Sequence, residues 1–179
     1  MGDRLSREDW VEAGLRALAA HGHEELKADR LARRLGVSRG SFYWHFADLA
    51  AFHVAVLEHW RVRYADAIIA SLDSEPSARA KLTQLLRRTV GADPSLEAAL
   101  RAWSISDDVA RRVVDATDQV RVSYVAELLR EHGVHADHAE PRAHLAYWAY
   151  LGQAVAATRP SPELSTLAVA ELVRMVLGA

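Results

Sequence analysis

The chain has no cysteine in its 179 residues, which excludes disulfide frameworks, thiolate nucleophiles and cysteine-ligated zinc. Long apolar runs are missing as well. Uninterrupted apolar stretches last only a few residues, against the roughly 20 needed to cross a bilayer, and Asp3 and Arg4 stand where a signal peptide would be apolar. A cytoplasmic protein without membrane contact is the expectation. Neither sign of charge prevails: 22 basic and 24 acidic side chains leave a formal net charge of −2, which argues against a binder that coats nucleic acid over its whole surface. Catalytic signatures are equally scarce. No serine-histidine-acid constellation, phosphate loop, dinucleotide fingerprint or HExxH pattern occurs, so no reaction and no cofactor is nominated, and the chain is not expected to be an enzyme.

What is present reads as helix. Half of the residues are hydrophobic, enough for a chain of this size to bury a core unaided, and they recur at spacings of three and four with no strand-like alternation. An all-α fold of about nine helices is predicted. Ser6 caps a first helix over about 7–21, which stops at Gly22. A second runs from about Ala28 to Leu35 and a third from Arg39 to Phe46. A long fourth covers about Asp48 to Leu72, with Phe52, Val56, Trp60, Tyr64 and Ile68 on one stripe. Another lies around 77–91, and Asp93-Pro94 and Ser161-Pro162 mark two more starts. Ser106-Asp107-Asp108 opens a helix with the stripe Val109, Val113, Ala116, Val120, Tyr124 and Leu128, which ends near Gly133. Asp137 to Glu140 reads as a capping box for the next.

Charge is unevenly spread. Residues 27–45 hold Lys27, Arg30, Arg33, Arg34 and Arg39 against Asp29 alone, while residues 93–179 carry eight basic and twelve acidic side chains. The basic stretch reads as helix, turn, helix. Gly36 supplies the positive φ that ends the first helix, Ala32 is a small contact residue, and Leu31, Leu35, Val37 and Phe42 point inward. Ser38 is placed to cap the third helix, whose first turn turns Arg39, Gly40 and Ser41 outward, free of packing and able to enter a major groove. Tyr43, Trp44 and His45 follow, and their polar groups suit phosphate oxygens.

The run Gly36-Val-Ser-Arg-Gly-Ser-Phe-Tyr-Trp-His-Phe46 resembles the signature of the TetR family of bacterial transcriptional repressors, and the resemblance extends over about residues 6–60. It implies base contacts from Arg39, Gly40 and Ser41, phosphate contacts from Tyr43 and His45, and for Ser38 the family's capping position near the backbone. Trp44 matches a position of variable role. The sequence departs from the family where a lysine usually opens the fourth helix, since Leu49 stands there, and where Lys27 replaces the usual hydroxyl residue at the start of the second. One phosphate anchor is thereby missing and one gained.

One short recognition helix reads too few base pairs for genomic selectivity, so a homodimer on a palindromic operator in double-stranded DNA is implied. By resemblance, residues 1–47 form the DNA-binding domain, and 48–179 form an effector-binding and dimerisation domain. The dimer then rests on the last two helices, about 138–158 and 162–177, with Ala146, Ala149, Gly152, Ala156 and Ala157 as small residues for close approach. Trp60, Tyr64, Trp103, Tyr124, Tyr147, Trp148 and Tyr150 are candidate walls for an apolar or aromatic effector, with Arg121 and Gln153 as polar groups to orient it. Two alternatives stand beside the ligand-released repressor. One is a DNA-binding regulator without a small-molecule effector. The other is a metal-responsive regulator using the cluster His132, His135, His138 and His144, although Gly133 and Pro141 are expected to interrupt the helix there.

Overall fold

The computed structural model describes residues 5–90, 92–156 and 162–178. Among them are nine α-helices and no strand: α1 Arg7–His21, α2 Ala28–Leu35, α3 Leu49–Arg61, α4 Ala67–Ala70, α5 Ala78–Thr89, α6 Ser95–Ser106, α7 Asp108–Glu131, α8 Ala136–Val155 and α9 Pro162–Leu177. None is long and apolar enough to cross a membrane. The chain divides into two compact units, residues 1–63 with 95–115 and residues 64–94 with 116–179. The 47/48 division expected from sequence falls inside the first of these units.

Local chemistry sets the helix starts. The Ser6 hydroxyl accepts from the Asp9 amide at 3.1 Å while the Asp9 carboxylate accepts from the Ser6 amide at 2.7 Å, a complete capping box. The serine holds the Asp9 carboxyl below its usual range, so whatever this box contributes is present above the unfolded value and is lost as pH falls through the depressed one. Asp48 caps α3 through the Ala51 amide, and Asp107 caps α7 through the amides of Val109 and Ala110. Helix α8 starts two residues earlier than its predicted capping box, with His135 as its N-cap, and runs on through Pro141 instead of breaking there.

The first unit is closed by an aromatic cluster. Trp10, Phe42 and Phe52 are fully buried and Phe46 nearly so; Phe42 meets Trp10 edge-on at 5.4 Å between centroids and Phe52 at 5.3 Å. The indole N–H of Trp10 has no partner among the described residues, a local cost of about 1–3 kcal/mol that the surrounding burial offsets. Helices α1 and α3 touch at Gly14, where an added Cβ would lie 2.7 Å from the Phe52 ring and 3.1 Å from Val56. Gly14→Val is therefore expected to destabilise the protein by about 1–3 kcal/mol, because the buried ring has nowhere to move. The urea midpoint should fall; an unchanged midpoint would show that the helices can separate without loss.

The second unit packs α5, α8, α9 and the later part of α7 around Leu82, Leu86, Val122, Ala126, Leu129, Ala143 and Val173. Two predicted stripes are corrected. Along the first part of α7 the buried positions are Ala110, Val114 and Thr117, whereas Val109 and Val120 of the predicted stripe are exposed and its last member, Leu128, is buried. The predicted long fourth helix is interrupted by a π-helical segment over Val62–Asp66. One extra residue in a turn rotates everything after it by about 100°. The buried stripe thus runs Phe52, Val56, Trp60 and then Ala65, while Tyr64 is turned outward.

Candidate nucleic-acid interface

The reading head is built on a cap. Gly36 adopts φ 68° and ψ 28°, its amide bonding Arg33 and that of Val37 bonding the Ala32 carbonyl at 3.0 Å. This is the Schellman arrangement, and the left-handed conformation favours glycine. Beyond it, Leu31 and Phe42 are fully buried, with Leu35 and Val37 packed against the same core. The inward positions read from sequence are those the structure fills.

The recognition segment itself, Arg39–Trp44, is 3₁₀ rather than α-helical. Six residues with glycine second favour the tighter ladder over a nucleated α-turn. The amide of Ser41 already bonds the Ser38 carbonyl at 3.0 Å. This corrects the expected role of Ser38: its exposed hydroxyl makes no capping bond. Both His45 and Phe46 donate to the Phe42 carbonyl at 3.0 and 3.1 Å, which pins the segment's far end over its own core residue.

On this anchored frame Arg39 and Gly40 are exposed, Ser41 and His45 half-buried, Tyr43 50% exposed and Trp44 77% exposed. The Arg39 guanidinium donates to the Tyr43 hydroxyl at 3.1 Å and lies 5.8 Å from its ring centre. That bond raises the guanidinium's pKa further. It also occupies a lone pair of the phenol and leaves the phenol's own proton free to donate. A side chain at Gly40 would meet only the Ser38 hydroxyl, at 3.8 Å, so nothing in the chain itself demands glycine there.

The flanking charge is more balanced than a count over residues 27–45 implies. A short 3₁₀ turn, His23–Glu25, brings two glutamates against the basic stretch. Glu24 accepts from Lys27 at 3.0 Å, and Glu25 holds both Arg30 and Arg34, the latter at 2.8 Å. These cations hold both carboxyls below the usual range, Lys27 acting on Glu24 and chiefly Arg34 on Glu25. Extending the count to Glu24 halves the positive excess from four to two. Leu49, at the position of the missing lysine, packs against the core.

Among the effector candidates, Arg121 draws Tyr64, Tyr147 and Tyr150 together. Trp60 and Trp103 are filled core positions of the first unit, each 1% exposed; apolar aromatics at helical spacing pack wherever a core admits them. In the second unit, Arg121 donates to the Tyr64 carbonyl at 3.1 Å and to the Tyr147 hydroxyl at 3.4 Å and lies over the Tyr150 ring, while Tyr147 donates to Asp118 at 2.6 Å. The Tyr124 hydroxyl is buried with no partner among the described residues, and burial raises its pKa. Trp148 is 60% exposed, with His144 edge-on to it; the side chain of Gln153 lies outside the described residues. A surface depression of about 310 Å³ on this unit is lined by Glu75, Ser77, Arg79, Thr83, Gln84 and Arg87 and includes none of these candidates. Nor do His132, His135, His138 and His144 converge: among the described residues no three metal-ligating side chains come together.

Residues 11–53 match the family model of bacterial regulatory proteins, tetR family. An HTH-type transcriptional regulator of Pseudomonas putida, TtgW, is 39% identical over 41 residues, covering 23% of this chain and 31% of that one. The chain thus spans under a third of the length of the curated relative it matches. Over nearly the whole chain, the fold is that of reduced NemR from E. coli, with TM-score 0.71, 20% identity and 96% and 94% of the two chains covered. It is equally that of a TetR transcriptional regulator from Legionella pneumophila, with TM-score 0.74, 13% identity and 98% of each chain covered. Residues 11–53, the amino-terminal helix-turn-helix, are thus similar to the tetR family of bacterial regulatory proteins, and the rest of the chain shares the fold of such regulators.

Proposed function

We propose that the protein is a dimeric repressor that reads an inverted repeat and is released from it by a small molecule. The observation that supports this reading is the core-locked recognition segment, on which Arg39, Gly40, Tyr43 and Trp44 are exposed and Ser41 and His45 half-buried; in our assignment Arg39, Gly40 and Ser41 meet base edges and Tyr43 and His45 meet phosphates. In this assignment residues 1–47 bind DNA and residues 48–179 dimerise and take the effector. Gly40 permits close approach of the backbone to the duplex, since the protein has no internal use for its small size.

The dimer reading is supported by the outer faces of α8 and α9. Leu145 and Trp148 are each 60% exposed, Val155 86%, Leu167 59% and Met175 70%. Ala149, Gly152 and Ala156 lie exposed on the same stretch, whereas Ala146 is buried in the unit's own core and Ala157 lies outside the described residues. A stripe this apolar is costly in water and suits a two-fold partner. The effector, expected to be apolar or aromatic, acts by preferring a conformer whose paired recognition segments no longer fit successive major grooves. A shift from 1:99 to 99:1 needs a differential affinity of about 5.5 kcal/mol. Light scattering of the protein mixed with an inverted-repeat duplex tests the assembly. Two chains per duplex are expected, and one chain per duplex at saturation would overturn it.

A further inference from the structure

The basic stretch ahead of the recognition segment carries its own counter-ions, and the two glutamates do different work. The Glu25 side chain is only 19% exposed and grips Arg30 and Arg34, which lie one turn apart on α2. It ties the His23–Glu25 turn to that helix. Glu24 is 66% exposed and bonds Lys27 at 3.0 Å, with His23 on its other oxygen at 3.2 Å. No buried partner holds the Lys27–Glu24 pair, and Lys27 sits at the amino-terminal end of α2 without making a side-chain cap.

Such an exposed pair is weak, so a phosphate oxygen competes with Glu24 for the same ammonium group. We infer that Glu24 is an internal competitor of DNA phosphate for Lys27 and thereby sets the affinity and salt dependence of the reading head without altering its base preference. The inference rests on the DNA-binding reading above. Its logic is electrostatic. A lysine that keeps its carboxylate presents no net charge to the duplex and releases no counter-ion, whereas a lysine freed of it neutralises one phosphate and adds about 0.9 to the salt slope. Phosphates are the same in every sequence, so this effect applies to all sites alike. Arg39 is outside it, because its partner is the neutral hydroxyl of Tyr43.

The test is binding of wild type, Glu24→Gln, Lys27→Gln and the double variant to a selected duplex and to a random one, each across about 50–200 mM salt. Glu24→Gln is expected to bind both duplexes about two- to fivefold more tightly at low salt, with a salt slope steeper by about 0.9 and an unchanged ratio between the duplexes. In the Lys27→Gln background the same change is expected to do little. Unchanged or weaker binding by Glu24→Gln overturns the inference. So does equal tightening with and without Lys27, which would mean that Glu24 acts only through the general field of the protein. A wild type that prefers no duplex at all defeats the DNA-reading function itself, a different outcome from a selective wild type that Glu24→Gln leaves unmoved.

Discussion

Arg39→Ala is expected to abolish discrimination at one base position in each half-site while leaving the fold and the other positions intact. A bidentate guanidinium on guanine discriminates by about 1–3 kcal/mol, and the proposed two-fold dimer would make the contact twice, so specific affinity is expected to fall by about 30- to 10⁴-fold. The fold is expected to survive because Arg39 is exposed and its hydrogen bond goes to Tyr43. The segment is held by Phe42 and by the carbonyl of that residue. Tyr43→Phe gives the contrast: it removes a phosphate donor and is expected to weaken every sequence to a similar degree. Titration of the selected duplex and of single-position variants separates the two. Equal loss by Arg39→Ala on specific and random DNA would remove its role as a base reader.

Trp148→Glu is the second large effect. Trp148 is 60% exposed on the α8 stripe with Leu145, so the folded chain tolerates a polar residue there. A dimer using that stripe does not. Aromatic anchors at the centre of an interface are typically worth about 2 kcal/mol or more when truncated, and isologous symmetry counts the substitution twice. Sedimentation is expected to find the variant monomeric at micromolar concentration, with operator affinity reduced by more than about tenfold because each half-site is then bound alone, and with unchanged helical content by circular dichroism. A variant that remains dimeric with full affinity would move the interface elsewhere.

How far these residues were readable in the sequence depends on whether the deciding interaction is local. Ser6 with Asp9, Gly36 with Val37, and Phe42 within its spacing are decided over a few residues, and each has the conformation its chemistry dictates. The α7 stripe was misread because Val109-Val113-Ala116-Val120 and Ala110-Val114-Thr117 are neighbouring rows of similar hydropathy, and only the packing partner chooses between them. The π-helical segment left no local mark either: residues 62–66, Val-Arg-Tyr-Ala-Asp, contain neither proline nor glycine. Its trace was in the spacing, since Trp60 and Ala65 are five apart where an α-helix places its inward residues three or four apart. The Glu24 and Glu25 ion pairs were legible in principle. Glu24 and Glu25 stand just ahead of the basic stretch, three to nine residues from the cations they hold, but only the Glu24–Lys27 spacing is that of helical neighbours, and the Glu25 pairs depend on how the turn folds back on α2. The effector chemistry was not legible. A pocket is defined by which aromatics remain uncovered, and Trp60 and Trp103 have the same spacing as a pocket wall while filling a core.

The most direct measurement is selection of a random duplex pool by the purified full chain at about 150 mM salt, where sequence-independent electrostatic binding is weak. The expected result is an enriched inverted repeat whose half-sites lie about 10–10.5 base pairs apart, or a multiple of that spacing. A recovered pool indistinguishable from the input would contradict a sequence-reading function for the segment Arg39–Trp44.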